Sequence, residues 1–261
     1  MSLAKRVLGQ CGIEVSCLGL GTVKFGRNQG VKYPAGFSLP EDKEILSLLS
    51  QAKELGINLL DTAPAYGISE QRLGRLLQNR QDWVICTKVG EEFTGGKSFY
   101  NFSAEHTRQS IERSLRELKT DYLDIVLIHS DGADLRIIES SDCIETLMQM
   151  QKDGLIKAIG MSTKTVDGGI KAVELLDIVM VTYNPSNVDD EKVIDSALAL
   201  NKGILIKKAL NSGHDCIASN NSAENNLRFA LSRAGVGSVI VGTINPAHLE
   251  ENVRAVQQID G

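Results

Sequence analysis

The chain has 261 residues, 42% of them hydrophobic and 23% charged, with a net charge of -5 and a pI near 5.5. This is an ordinary globular composition whose length suits either two small domains or one large α/β barrel. Charges of both signs are interspersed, which excludes the basic footprint of a nucleic-acid or anionic-membrane binder.

The sequence supplies few thiols and imidazoles, and scatters them. Five cysteines (Cys11, Cys17, Cys86, Cys143, Cys216) lie far apart with no CxxC pair, which suits reduced thiols in a cytosol rather than a disulfide framework. The four histidines (His106, His129, His214, His248) are equally dispersed, so no metal site is expected. The opening "MSLAKRVLGQCG" lacks the apolar core of a secretion signal, and no apolar run approaches the roughly 18 residues of a membrane span. A cytoplasmic protein without a membrane partner is the expectation.

In chain order, "KRVLGQCGIEVS" (5–16) predicts a small hairpin, with Gly9 and Gly12 near its turn, placed to plug the bottom of a barrel. Eight short β-branched runs follow, at 15–21, 57–62, 83–89, 122–129, 155–162, 178–184, 203–210 and 236–243. Between and after them fall amphipathic patterns at 42–55, 69–79, 103–119, 140–152, 165–175, 189–201, 222–234 and 246–258. In the third of these, Ile111, Leu115 and Leu118 share one face, Glu112 and Arg116 have the spacing of an i,i+4 pair, and Ser103 suits an N-cap. Strand–helix alternation with near-continuous apolar strands predicts a single (β/α)8 TIM barrel spanning 1–261, with a doubly wound open sheet as the competitor. No linker or shift in composition cuts the chain in two.

In such a barrel, chemistry gathers at the C-terminal ends of the strands. Those ends carry Gly21-Thr22, Asp61, Lys88, His129, Ser162, Tyr183-Asn184, Lys207 and Gly242-Thr243, with Tyr66 on the loop beyond Asp61. Asp61 alone could cap a turn, Lys88 could reach out from a rim, and His129 could be a satisfied core histidine. Charged groups ending three successive buried strands would be costly to leave unpaired, so a shared site is the better explanation.

At these residues the sequence resembles the aldo-keto reductase superfamily, and the likeness runs the length of the chain. "GINLLDTAPAYGISEQRLGRLL" is similar to the family signature around a catalytic aspartate and tyrosine, "TKVG" to its lysine strand, "LDIVLIHSD" to its histidine strand and "VGTINPAHLEENV" to its cofactor-binding C-terminal stretch. The resemblance implies a catalytic tetrad of Asp61, Tyr66, Lys88 and His129. Carbonyl reduction by a nicotinamide hydride leaves charge on oxygen, so a proton must be delivered there. A free tyrosine, with a pKa of about 10, is a reluctant donor and a poorer base. A neighbouring Lys88 ammonium is expected to bring that pKa toward the working range, with Asp61 orienting the lysine and His129 the carbonyl.

No GxGxxG follows the first strand, so a Rossmann site is not indicated. The resemblance instead implies an extended dinucleotide across the barrel mouth. Gly21, Thr22 and Ser162 would lie near its nicotinamide and ribose, Leu210, Ser212 and Gly213 near its pyrophosphate, and Gly242, Thr243, Asn245, His248, Glu251 and Asn252 near its adenosine end, with Asp61 and Lys207 also among the cofactor-binding residues. From the residues themselves, Asn245-Pro246 reads as an N-cap with proline at N1, opening a helix whose free N–H groups attract oxygens.

Several positions depart from the family pattern. Ser162-Thr163 stands for a Ser-Asn pair, Met180 for a glutamine, and Lys207 for an aromatic that stacks on the nicotinamide. The basic clasp of a 2′-phosphate is replaced by Gly242, Thr243, Ile244 and His248, of which only His248 can be cationic. The resemblance therefore puts NADP(H) only slightly ahead of NAD(H). Two segments, 25–42 and 90–106, read as lids whose Phe25, Tyr33, Phe37, Phe93, Phe99, Tyr100 and Phe102 either pack their own loops or form an aromatic wall, with Arg27, Lys32 and Lys97 available for an acidic group.

The expected activity is an NAD(P)(H)-dependent oxidoreductase interconverting a small aldehyde or ketone and its alcohol, with Tyr66 as general acid/base, in a monomer. One rival is a cofactor-binding sensor with slow or no turnover. The other is a Schiff-base lyase, since Lys88 and Lys207 both end strands and a desolvated lysine is an amine nucleophile.

Overall fold

The structure, a computed structural model, describes residues 3–33, 36–211 and 223–257. Eight parallel strands close into a barrel: β3 (Leu18–Gly21), β4 (Leu59–Asp61), β5 (Val84–Val89), β8 (Leu123–His129), β9 (Ile156–Ser162), β10 (Ile178–Thr182), β11 (Gly203–Lys207) and β12 (Val236–Val241), with β12 pairing back onto β3. Closure removes the competing open sheet, and it satisfies every strand edge. Around it pack α2 (Asp42–Glu54), α3 (Ser69–Leu76), α4 (Ala104–Leu118), α6 (Cys143–Lys152), α7 (Val166–Leu175), α8 (Glu191–Ala199), α9 (Ala223–Ser232) and α10 (Pro246–Gln257).

The strands are buried on both faces, and this explains their apolar runs. Inward-facing Leu59, Cys86, Ile125, Leu127, Ala158, Ile178, Met180 and Leu205 fill the barrel, while the opposite faces join the helices in a second cluster. Each leucine, isoleucine or methionine among them, taken out of water, stabilises the fold by roughly 1.5–3 kcal/mol. The expected N-terminal hairpin is present as β1 (Lys5–Val7) and β2 (Glu14–Ser16), with Gly9 and Gly12 at φ of 52° and 72°. Its Leu8 and Val15 join the inner cluster, and a Cβ on Gly237 would meet Leu8 Cδ2 at 2.3 Å, so the hairpin does stopper the N-terminal end.

Four elements differ from the expectation. The predicted 15–21 strand is split between hairpin and barrel, because Ser16 Oγ turns to donate to Leu18 O at 2.7 Å and Ser16 N–H is taken by Asn58 Oδ1. The helix predicted at 140–152 is α6 preceded by a separate α5 (Asp134–Ser140), and a one-turn α1 (Val23–Gly26) follows β3. The segment 90–106 is largely ordered as a second hairpin, β6 (Glu91–Thr94) and β7 (Lys97–Tyr100), turning at Gly95-Gly96 with φ of 58° and 80°. In α4, Ser103 caps His106 N–H as expected, whereas Glu112 and Arg116 form no ion pair and Arg113 instead reaches Glu92 at 2.5 Å.

Two residues of α3 hold the mouth together. Arg72, nearly buried, donates to Phe25 O, Pro40 O and Asp42 Oδ1, tying both ends of the 27–41 loop to the barrel. Glu70 is fully buried, accepting from Thr87 Oγ1 at 2.5 Å and Ser114 Oγ at 3.1 Å. Burial pushes its carboxyl up to about 7, against those two hydrogen bonds. A folded-state pKa above the unfolded value adds stability below the unfolded pKa that is lost as pH rises through the folded one. Replacing Glu70 with Gln should therefore remove a loss of up to about 3 kcal/mol between roughly pH 4.5 and 7. Urea midpoints of the two proteins across that window check this; parallel curves refute it.

Candidate active site

The first three functional side chains come from two adjacent strands and one turn. Asp61 ends β4, and the chain then closes a single 3-10 turn at Pro64–Tyr66, with proline supplying the first φ and Tyr66 N–H donating to Ala63 O at 2.9 Å. The turn can only continue through glycine. Gly67 has φ of 64°, and a Cβ there would meet Gly26 O at 2.2 Å. Tyr66 is thereby swung back toward Asp61. Lys88 on β5 donates to Asp61 Oδ1 at 2.5 Å and to Thr62 O at 2.9 Å, with its Nζ 4.8 Å from the centre of the Tyr66 ring. Tyr66 Oη lies a long 3.4 Å from Asp61 Oδ2.

His129 ends β8 with its ring edge-on to Tyr66, centroids 6.3 Å apart. Its Nδ1 lies 2.8 Å from Glu91 Oε2, off the line of a straight N–H bond, in ion-pair geometry. Glu91 begins β6 and is itself held by Ser98 Oγ at 2.6 Å and by Arg27 at 3.7 Å. With Nδ1 committed to Glu91, the imidazole presents Nε2 to the cavity that it lines.

Burial and charge act on these groups in opposite directions. Burial opposes the Lys88 ammonium, but Asp61, Tyr66 and Cys86 outweigh it and hold its pKa above the ordinary lysine value. For Tyr66, burial and then Asp61 push the phenol up, and Lys88 only partly offsets them. The expectation that Lys88 brings Tyr66 toward neutrality is therefore corrected for the protein alone: Lys88 pulls in that direction, and desolvation is the larger effect. Burial also lowers His129, against the Glu91 carboxylate. Burial would raise Glu91, yet His129, Ser98 and Arg27 bring it down to about 2.

These groups open into a cavity of about 1530 Å³. It is lined by Gly21, Asp61, Tyr66, Lys88, His129, Ser162, Lys207, Leu210, Gly242, Thr243, His248, Glu251 and Asn252, all named as candidates from the sequence. Thr22 is not on its wall: it is buried and donates to Asp61 O at 2.9 Å, bracing the strand end. Asn245 also stays off the wall and caps α10, its Oδ1 accepting Ala247 N–H at 2.9 Å. Tyr183 turns away to stack on Phe229, while Asn184 remains in the mouth. Ser212, with Gly213, His214 and Cys216, lies outside the described residues.

The aromatic wall is also corrected. Of the seven aromatics in the two segments only Tyr33 lines the cavity; Phe25 is core, Phe93 lies under Arg27, and Phe102 stacks with Tyr100. Arg27, Lys32 and Lys97 are likewise absent from the wall, which carries Lys24, Lys164, Lys207 and Lys208 instead. The sequence order hid Lys24, Lys164 and Lys208, which follow strand ends already counted. Glu91 was missed too, although the Gly-Gly turn four residues on was a legible hairpin signal.

An elongated dinucleotide fits this wall. The cavity is large enough, Gly21 and Gly242 keep its rim thin, and Thr163 Oγ1 is buried without a partner beside Ser162, as a group awaiting a carboxamide would be. Among the described residues no cluster of three or more His, Cys, Asp or Glu could hold a metal, and no helix is long and apolar enough to cross a membrane.

A barrel with this constellation at its mouth defines a class of oxidoreductase, and comparison with known proteins gives the same answer. The model of the aldo/keto reductase family matches residues 17–214, and the chain belongs to that family. It is an NAD(P)H-dependent aldo-keto reductase. Among its relatives, L-galactose dehydrogenase of Arabidopsis thaliana is 27% identical across 98% of this chain and 88% of its own length. Pyridoxine 4-dehydrogenase of Escherichia coli is 30% identical across 85% of each. The crystal structure of PA4992, a candidate aldo-keto reductase of Pseudomonas aeruginosa, superposes with a TM-score of 0.90 at 48% identity, covering 98% of this chain and 95% of that one.

Since Glu91 supports the protonated imidazole, Glu91→Gln should lower the His129 pKa further, as read from NMR titration of its ring signals. An unchanged titration would mean that the contact has no electrostatic weight.

Proposed function

We propose that the chain interconverts a small aldehyde or ketone and its alcohol, with Tyr66 exchanging the proton at the carbonyl oxygen. The observation that carries this reading is the Asp61–Lys88–Tyr66 arrangement beside His129 on the wall of one large cavity. A bound nicotinamide cofactor supplies or accepts the hydride. Tyr66 Oη, only loosely held by Asp61, is free to turn to a substrate oxygen. Lys88 stays charged beneath the ring, which eases negative charge on the phenol oxygen as the proton leaves. His129, held through Nδ1 by Glu91, orients the carbonyl from its other nitrogen.

Gly21, Ser162, Thr163, Lys207, Leu210, Gly242, Thr243, His248, Glu251 and Asn252 would hold the cofactor along the cavity. Thr22 and Asn245 would act one step back, by bracing Asp61 and opening α10. Among the described residues no arginine is on this wall, so a 2′-phosphate would rely on lysines as point charges, with His248 nearby. NADP(H) stands slightly ahead of NAD(H) on this reading. An NADH-specific methylglyoxal reductase of Escherichia coli is among the relatives, at 29% identity over 70% of the chain.

Tyr66→Phe should cut turnover at least ~100-fold while leaving cofactor affinity, measured by protein fluorescence, nearly intact. The assay follows loss of nicotinamide absorbance with an activated aromatic aldehyde, NADPH and NADH side by side. A variant that keeps most of its rate would remove Tyr66 from the role, and tight cofactor binding with negligible turnover by the native protein would instead identify a sensor.

The raised phenol also sets the pH behaviour. Reduction needs Tyr66 protonated and oxidation needs it ionised, so alcohol oxidation should climb from about pH 7 to about pH 10 while carbonyl reduction stays comparatively flat. Parallel profiles for the two directions would refute this assignment of the proton.

A further inference from the structure

Two lysines end barrel strands on this one cavity, in opposite electrostatic settings. Lys88 faces the Asp61 carboxylate at 2.5 Å. Lys207, the last residue of β11, has no carboxylate within ion-pair distance among the described residues; its Nζ is held by two neutral acceptors, Ser162 Oγ at 2.8 Å and Thr163 O at 2.6 Å. It lines the same wall as Tyr66 and His129, and as a residue it is only partly covered.

We propose that Lys207 is a second reactive centre, an amine that captures aldehydes entering the cavity of the cofactor-free protein as imines. The proposal rests on the reading of this cavity as a carbonyl site. The nitrogen lone pair adds to the aldehyde carbon and the oxygen takes up the amine proton. The resulting carbinolamine loses water as C=N replaces C=O. Nothing is oxidised or reduced, and water reverses the step. Ser162 Oγ and Thr163 O hold the nitrogen in place, and Ser162 Oγ, which can donate as well as accept, is placed to assist departure of the oxygen.

The surroundings favour the neutral amine. Burial acts first, Lys208 and Lys164 add to it, and the more distant Asp190 and Asp134 oppose it, which brings Lys207 down to about 7. His129, on the same wall, is lowered chiefly by burial, with Lys207 a smaller contributor. Lys88 is shifted upward by Asp61 and stays an ammonium, so it does not compete.

The test exposes cofactor-free protein to benzaldehyde and cyanoborohydride near pH 7, then reads intact mass and peptide maps. One benzyl group should appear on Lys207 about 10-fold or more faster than on surface lysines, with the rate levelling near pH 8 while theirs keeps rising. Lys208→Gln should retain the label. Lys207→Arg, which keeps the charge without the nucleophile, should lose it, with circular dichroism confirming the fold. Labelling spread evenly over surface lysines, or confined to Lys88, in the native protein overturns the proposal whatever the variants do. The trapping needs no nicotinamide, so an absence of carbonyl reduction in the separate assay would refute the proposed function and leave this result standing.

Discussion

The buried ion pair between Asp61 and Lys88 is the constraint around which the mouth of the barrel is arranged. A lysine that is 2% exposed at the end of a strand keeps its charge only if a carboxylate meets it, and Asp61 on the adjacent strand does so at 2.5 Å. Removing one partner of such a pair typically costs about 3–5 kcal/mol, because the other is left charged and buried. Much of the local architecture serves to hold Asp61 in place. Thr22 and Ser69 bond to each other, Thr22 bonds the Asp61 carbonyl, and Thr62 supplies a second acceptor to Lys88. Tyr66 inherits its position from the same pair, since Gly67 and Gly26 leave the turn one path back toward it.

His129 has a support of a different kind. Its partner, Glu91, comes from outside the barrel, at the start of the β6–β7 hairpin, and Arg27 and Ser98 secure that carboxylate. The site thus joins a rigid half built on strands β4 and β5 to a half that depends on a loop insertion. Loops above a barrel vary more easily than strands do. The tyrosine half is then the chemical constant, and the hairpin is where the setting of the histidine can be tuned.

The barrel itself was legible because strands buried on both faces must be apolar along their length, and helices between them must be amphipathic. "VICTKV" and "LDIVLIH" could be little else, and the lysine next to the end of the first and the histidine that ends the second were visible as exceptions to their own strands. What escaped was what depends on contacts distant in sequence. Nothing in the order of residues says that Glu91 meets His129 across 38 positions, that Phe25 goes inward while Tyr33 faces the cavity, or that Thr22 braces rather than lines. The split between β2 and β3 was hidden for the same reason, being made by Asn58 from the far side of a helix. The net charge of -5 likewise gave no hint that the mouth would gather Lys24, Lys164, Lys207 and Lys208.

That gathering separates two properties usually treated together, burial and charge. Lys88 and Lys207 are the same residue type, at the same level of the barrel, on one cavity. One is matched by a carboxylate and therefore remains a cation, able to ease charge onto the Tyr66 oxygen. The other is held by a hydroxyl and a carbonyl, with further lysines beside it, and its proton is held weakly enough to be shared with solvent near neutral pH. A hydroxyl and a carbonyl favour the ammonium as donor over the neutral amine, but they bring no opposite charge, so they hold the cation far less firmly than a carboxylate does. Burial works against the proton on both lysines, and the carboxylate that only Lys88 meets decides which is an electrostatic support and which is a nucleophile.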